Sequence, residues 1–131
     1  MNVAFVTGGR VAAGMGLETA ELRLLDALRA SGPLDVRVVG GRGARAYARR
    51  IGAGWYPARP GHSSRRAWRR ADLVHLAGLS VPPPARRPFV ATFYDLSPLH
   101  FGDEGALPPW AQETASRAEL ILVPSQFVAG E

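Results

Sequence analysis

The chain contains no cysteine and no lysine, and no apolar run long enough to cross a bilayer as a helix. Without cysteine, disulfides and thiolate metal sites are excluded. Met1–Thr7 is a short apolar run with neither a basic leader nor a cleavage site, so no secretory signal is expected and a cytoplasmic location is. The three histidines, His62, His75 and His100, lack the close helical spacing of a metal cluster, and no metal is expected. His75 falls inside a strand pattern and is expected as a satisfied, semi-buried histidine. His100 stands beside Leu99 and Phe101 in a loop, where nothing in the pattern assigns it a role.

What is present is the composition of an ordinary globular domain: 131 residues, 47% hydrophobic and 21% charged. That length fits one domain, and folding buries roughly two thirds of the surface of the unfolded chain. The formal charge of +5 is carried wholly by arginine. Abundant Ala, Gly and Pro alongside arginine point to a compositional bias, but the basicity is uneven. Nine arginines (42, 45, 49, 50, 59, 65, 66, 69 and 70) fall between Arg42 and Arg70 with no acidic residue among them. Such a block attracts phosphates or an anionic membrane surface.

Hydrophobic periodicity divides the chain into alternating strands and helices. Asn2–Thr7 is a β-branched and aromatic run ending at Gly8-Gly9, expected as a buried strand. Leu17–Ala30 carries a helical stripe of Leu17, Ala20, Leu24, Leu25 and Leu28, closed by Ser31-Gly32-Pro33. Asp35–Val39 is the next strand, making a β-α-β unit whose strands should be parallel. Ala44–Ile51 is expected as a short helix and Gly52–Gly61 as a segment with a short edge strand around Trp55-Tyr56-Pro57. A helix capped by Ser63 or Ser64 should run to Ala71, with Ala67, Trp68 and Ala71 inward. Leu73–Leu76 and Phe89–Phe93 are expected as buried strands, Asp95–Gly105 as a loop, and Pro108-Pro109 as the opening of a helix through Ala118. Leu120–Val123 is expected as a last buried strand, and Ser125 as the cap of a helix that has barely begun at Glu131. The expected fold is α/β, a Rossmann-like doubly wound parallel sheet, and the abrupt end suggests a piece of something longer.

In such sheets ligands sit beyond the carboxyl ends of the strands, near the switch in strand order. Gly8–Gly16, Gly40–Arg42, Ala77–Pro84, Tyr94–Phe101 and Pro124–Gln126 occupy those ends. In the first, Gly14-Met15-Gly16 leads into the helix. Glycine permits close backbone approach and free amides at a helix start favour an anion, so a phosphate or diphosphate is the natural guest. The alternative is that these glycines only let a long loop turn. In the fourth, Tyr94 and Asp95 reach the rim ahead of a Ser97-Pro98 turn. Asp95 is suited to accept from a sugar hydroxyl and Tyr94 to stack or donate. Alternatively, Asp95 caps the turn and Tyr94 packs sideways.

Taken in order, these segments resemble the N-terminal domain of retaining GT-B glycosyltransferases of family four. The resemblance is carried by the opening strand with Gly14-Met15-Gly16-Leu17-Glu18, by Ala71-Asp72-Leu73-Val74-His75, by Thr92-Phe93-Tyr94-Asp95-Leu96-Ser97-Pro98, and by Ala118-Glu119-Leu120-Ile121-Leu122-Val123-Pro124-Ser125. It implies the acceptor-binding half of an enzyme that moves a sugar from a nucleotide-sugar donor. The donor is held mainly by a C-terminal domain absent from these residues, and no cofactor is needed. Gly14, Met15, Gly16, Ser97 and Ser125 would be substrate-binding, and Tyr94 and Asp95 would stand at the catalytic cleft. Many relatives have histidine where this chain has Tyr94. Arg65, Arg66, Arg69 and Arg70 are candidates for an anionic or lipid-linked acceptor or for peripheral contact with the inner membrane leaflet. A cleft face left without its second domain makes self-association an expectation, and the chain alone should not complete the reaction.

Two other functions fit parts of the pattern. Gly14-x-Gly16-x-x-Thr19 approaches a dinucleotide fingerprint, with Arg42 placed to meet an NADP phosphate. However, about seven residues separate the first strand from Gly14, and the second strand ends in Gly40-Gly41-Arg42 instead of an acid. The arginine block with Trp55, Tyr56 and Trp68 also suits a nucleic-acid or anionic-lipid module. An arginine-rich helix face in a lysine-free chain is more simply a solvated face, and no nucleic acid is expected as partner.

Overall fold

The structure, a computed structural model, describes residues 1–7, 16–58, 65–94 and 96–130; the side chains of 16–18, 65, 97, 104 and 127 are outside that description. β-Branched and aromatic runs form six strands: β1 (Asn2–Val6), β2 (Asp35–Gly40), β3 (Gly54–Pro57), β4 (Leu73–Ala77), β5 (Phe89–Thr92) and β6 (Leu120–Leu122). Every pairing is parallel, and the order across the sheet is β3-β2-β1-β4-β5-β6. That is the Rossmann-like doubly wound order, with its switch between β1 and β4. Among the described residues no helix is long and apolar enough to cross a membrane.

The strand side chains alternate between two cores. Val3, Phe5, Val36 and Val38 point to one face, where α1 (Gly16–Ala30) contributes Leu25 and α2 (Arg42–Arg50) contributes Ala44 and Ala48. Ala4, Val6, Val74 and Leu76 point to the other, where Ala67 and Trp68 of α3 (Arg65–Trp68), together with Ala71, Val81, Phe93 and Leu96, cover them. A strand covered on both faces is continuously apolar, which is why β1 reads as an uninterrupted run. α1 ends as expected: Gly32 takes φ +134°, a conformation that L-residues avoid, and the Ser31 hydroxyl caps the Leu28 carbonyl at 2.9 Å.

Several expectations need correction. Ala20 is exposed and Glu21 takes the buried place in the α1 stripe, because residues 21 and 25 are one helical step apart on the core side. α2 starts at Arg42, two residues before the expected start, since β2 runs through Gly40 and turns at once. α3 is a single turn; the expected caps Ser63 and Ser64 lie outside the described residues. α4 covers only Ala111–Arg117, because Pro108 and Pro109 form a preceding turn in which Ala111 donates to the Pro108 carbonyl. The Asp95–Gly105 loop contains two short 3-10 turns, Ser97–Leu99 and Gly102–Glu104. β6 is an edge strand, with Leu120 and Ile121 exposed, and is not buried.

The β4–β5 connection, residues 78–88, crosses without a helix. Its prolines donate nothing, and its carbonyls are held from outside. Arg117 donates to the carbonyls of Pro84 (2.6 Å) and Ala85 (3.1 Å), and the Trp110 indole donates to Leu79 (3.0 Å).

At the end of β2 glycine is obligatory for space. A Cβ on Gly40 would lie 2.5 Å from the Thr7 hydroxyl and 2.7 Å from the Ala44 methyl, whereas one on Gly41 would meet nothing within 4 Å. Gly41 also has an ordinary φ of −73°. Gly40→Ala is therefore expected to destabilise the fold by roughly 1–3 kcal/mol in urea unfolding, and Gly41→Ala, which has space but replaces a glycine N-cap of α2 with a poorer one, by at most about 1 kcal/mol.

Candidate functional site

The switch between β1 and β4 opens the carboxyl edge of the sheet, and three strands are tied together there. The Thr7 amide donates to the Val39 carbonyl (3.0 Å), and the Ser80 hydroxyl donates to the Thr7 carbonyl (3.1 Å). The ends of β1, β2 and β4 thus form one floor. The expected phosphate loop leaves this floor: β1 ends at Val6 and α1 begins at Gly16. Gly14 and Met15 lie outside the described residues, and Gly16 is the first residue of α1.

Tyr94 follows β5 by two residues and packs against the core cluster that includes Phe5 of β1 and Leu25 of α1. Its ring packs sideways, the alternative to display at the rim. Its hydroxyl is buried and has no hydrogen-bond partner among the described residues. Burial, reinforced by the negative charge of Glu21, pushes the phenol up to about 12, so Tyr94 keeps its proton across the physiological range. Tyr94, just past β5, and Glu21, in the second turn of α1, therefore lie near each other on the face that α1 covers. Asp95 lies outside the described residues, and Ser97 opens the first 3-10 turn. Ser125 is exposed, and its hydroxyl accepts from the Val128 amide at 3.4 Å, a cap on the short α5 (Gln126–Ala129).

Glu21 is the residue that the sequence analysis passed over. It is 6% exposed, a carboxylate in a stripe otherwise apolar. The signal was available: Glu21 is four residues after Leu17 and four before Leu25, which puts it on the core-facing stripe. It lines a groove of about 330 Å³ between α1 and α2, floored by Phe5 and Thr7. A second, apolar groove of about 470 Å³ lies on the other side, between α4, α5 and the β5–β6 edge, with Phe93, Leu107 and Ile121 in its walls.

His75 sits at mid-strand, 3% exposed, with its Nε2 2.8 Å from the Thr92 hydroxyl and its ring 5.0 Å from that of Phe5. It is a structural histidine, more deeply buried than expected. Among the described residues no group of His, Asp and Glu has metal-binding proximity. Arg66, Arg69 and Arg70 are exposed on and after α3, and the Arg65 side chain is outside the description. Arg42, Arg45, Arg49 and Arg50 are exposed along α2, with Arg45 over the Trp55 ring (5.3 Å) and Arg50 over Tyr47 (5.0 Å).

No protein-family model and no curated protein matches the chain. The solved structure of MT0777 superposes with a TM-score of 0.51 over 94% of this chain and 86% of its own, at 12% identity. At that identity the likeness shows the shared fold alone.

Two measurements test this description. Burial lowers His75 from 6.5 to about 4, so the unfolded chain binds its proton first. Its contribution to stability is complete above about pH 6.5 and is lost as pH falls toward 4, with a slope of at most about 1.4 kcal/mol per pH unit. His75→Gln, which keeps a polar partner for Thr92, is expected to flatten that slope in urea unfolding at pH 7, 6 and 5. Tyr94→Phe removes a hydroxyl without a described partner and is expected to leave stability unchanged or raised by up to about 1 kcal/mol. A loss above about 2 kcal/mol would mean that the hydroxyl is bonded in the folded protein.

Proposed function

We propose that this domain is the acceptor-binding half of a GT-B-type glycosyltransferase that moves a sugar from a nucleotide-sugar donor, with the donor held mainly by a second domain. The observation that supports this most is that Tyr94, just past β5, packs against the cluster shared by β1 and α1 and lies near Glu21 of that helix, in a sheet whose order switches between β1 and β4. In the proposal the backbone of Gly14, Met15 and Gly16 faces the donor diphosphate. Tyr94, Asp95 and Ser97 lie toward the transferred sugar, with Ser125 at the far rim. Tyr94 holds its proton and its hydroxyl is buried, so it shapes the rim by packing and does not act as a base. Arg65, Arg66, Arg69 and Arg70 offer charge to an anionic acceptor or an anionic leaflet, in a protein acting in the cytoplasm. The chemistry such a cleft supplies is positioning and stabilisation of the departing phosphate, which requires both domains.

The strand order is shared with dinucleotide-binding domains, but two features disfavour a nicotinamide cofactor. The interval from Val6 to Gly16 is longer than the tight turn that such binding needs. The end of β2, where an acid would hold a ribose, is Gly40, packed too closely on Thr7 and Ala44 to accept a side chain.

The test is titration of the isotope-labelled chain with UDP, GDP and NADP, followed by amide shifts. A nucleoside diphosphate is expected to move the Gly14–Gly16 and Tyr94–Ser97 amides, while a nucleotide sugar plus this chain alone yields no transfer. Micromolar NADP binding without a response to UDP or GDP would overturn the assignment.

A further inference from the structure

We propose that a groove at the amino edge of the sheet, lined in part by Arg69, Arg86 and Arg87, is a binding site for a small oligophosphate, a ligand with two or more linked phosphates. The site goes beyond the glycosyltransferase reading and does not rest on it. The groove lies ahead of β4 and β5, the length of a five-residue strand, roughly 16 Å, from the edge where the switch opens.

Its arginines come from two separate runs, so the amino-acid order alone does not join them. Arg69 belongs to the basic block ahead of β4, and Arg86-Arg87 stand in the β4–β5 connection. Parallel pairing of β4 with β5 brings the approaches to both strands side by side. Arg87 fastens them: its two terminal nitrogens donate to the carbonyls of Ala71 (2.7 Å) and Arg69 (3.0 Å). Pro84 and Ala85, also in the lining, are held through their carbonyls by Arg117. Trp68, 5% exposed, completes the set. The groove is thus built on backbone tied at both of its contributing segments.

Its charge is positive and uncompensated. Carbonyls satisfy the donors of Arg87 without cancelling its charge. Arg69 and Arg86 are exposed, and neither side chain bonds to a described residue. The ion pairs among the described residues, Arg37–Asp35 and Arg117–Glu113, involve none of the three. Between Arg65 and Phe89 the sequence holds six arginines and a single acid, Asp72, whose carboxylate accepts from the Asn2 amide at 2.7 Å. Guanidinium groups gathered without an acid are relieved by an anion, and their planar forks match phosphate oxygens. The volume of about 550 Å³ falls within the range of small-ligand sites, and a concave site of that size suits a compact anion better than a bilayer plane. One phosphate carries about −1.5 to −2 at neutral pH, short of three guanidinium charges, and two linked phosphates match them. For Arg69 this replaces the broader choice of anionic acceptor or leaflet with one soluble ligand class.

The isotope-labelled chain is titrated with pyrophosphate and with orthophosphate at low and physiological salt. Pyrophosphate is expected to move the amides of Trp68–Ala71 and Ala85–Arg87, to bind at least tenfold more tightly than orthophosphate, and to weaken as salt rises. Arg69→Gln and Arg86→Gln, at exposed side chains without described bonds, should fold normally and each weaken pyrophosphate about tenfold. Arg45→Gln, which removes the same charge from α2 on the other face of the sheet, should leave that affinity unchanged. An equal loss in all three variants, or no response of the groove amides in the folded chain, overturns the site. Vesicles of phosphatidylglycerol in phosphatidylcholine distinguish the source of the phosphate. Vesicle binding that Arg86→Gln abolishes, with no response to pyrophosphate, would make the groove a leaflet contact and overturn the soluble ligand. A UDP response at Gly14–Gly16 with no pyrophosphate response at the groove would leave the glycosyltransferase assignment standing and remove this one. Pyrophosphate binding at the groove with no UDP response at Gly14–Gly16 would do the reverse.

Discussion

Everything in this domain is referred to β1, a strand of five residues hydrogen-bonded on both sides and covered on both faces. Its amides and carbonyls have no access to water, so its neighbours must be in register for those groups to be satisfied. Val3, Phe5 and their alternates must each find a helix or loop to bury them. That requirement fixes α1 and α2 over one face and the Trp68 cluster over the other. The strand order reverses at β1, and the parting of the chain there leaves a floor between two directions of winding.

The same constraint explains why chemistry collects on the carboxyl edge. Thr7, Gly40 and Ser80 are small, and each is engaged with another: hydroxyl to carbonyl, or a missing Cβ against a methyl. The edge is thereby rigid where backbone comes close. Longer side chains, Glu21 and Tyr94, approach it from α1 and from the segment that leaves β5. A rigid floor with side chains delivered from separate elements is how an α/β fold changes its ligand without changing its core.

Much of the architecture was legible in the amino-acid order. β1, β2, β4 and β5 are short, apolar and punctuated by glycine or proline, and periodicity identifies them because burial on both faces leaves no ambiguity. The edge strand around Trp55-Tyr56 was legible from its aromatic pair between Gly54 and Pro57, and the inward set Ala67, Trp68 and Ala71 from its helical spacing. What escaped was set by tertiary context. The apolarity of Leu120 and Ile121 says nothing about whether a layer covers them, and here they are exposed. Pro108-Pro109 is compatible both with a first helical turn and with the turn before it, and only the docking of α4 decides. Glu21 was missed at the candidate site because a charged residue in a helix is ordinarily assigned to solvent, although its spacing from Leu25 placed it inward. The packing of Tyr94 beneath α1 could not be foreseen from its neighbours, since alternation places it on a face without saying which helix stands there.

The connection between β4 and β5 has a consequence for how the polypeptide matures. Three consecutive prolines give it a stiff course but no donors, and its carbonyls are bonded by Trp110 and Arg117, some thirty residues downstream. On the ribosome, the half of the sheet containing β3, β2, β1 and β4 can therefore assemble while this bridge is still unsupported. The remainder must wait for α4 to emerge. The protein is built in two instalments, and the seam between them runs between β4 and β5, one strand away from the switch.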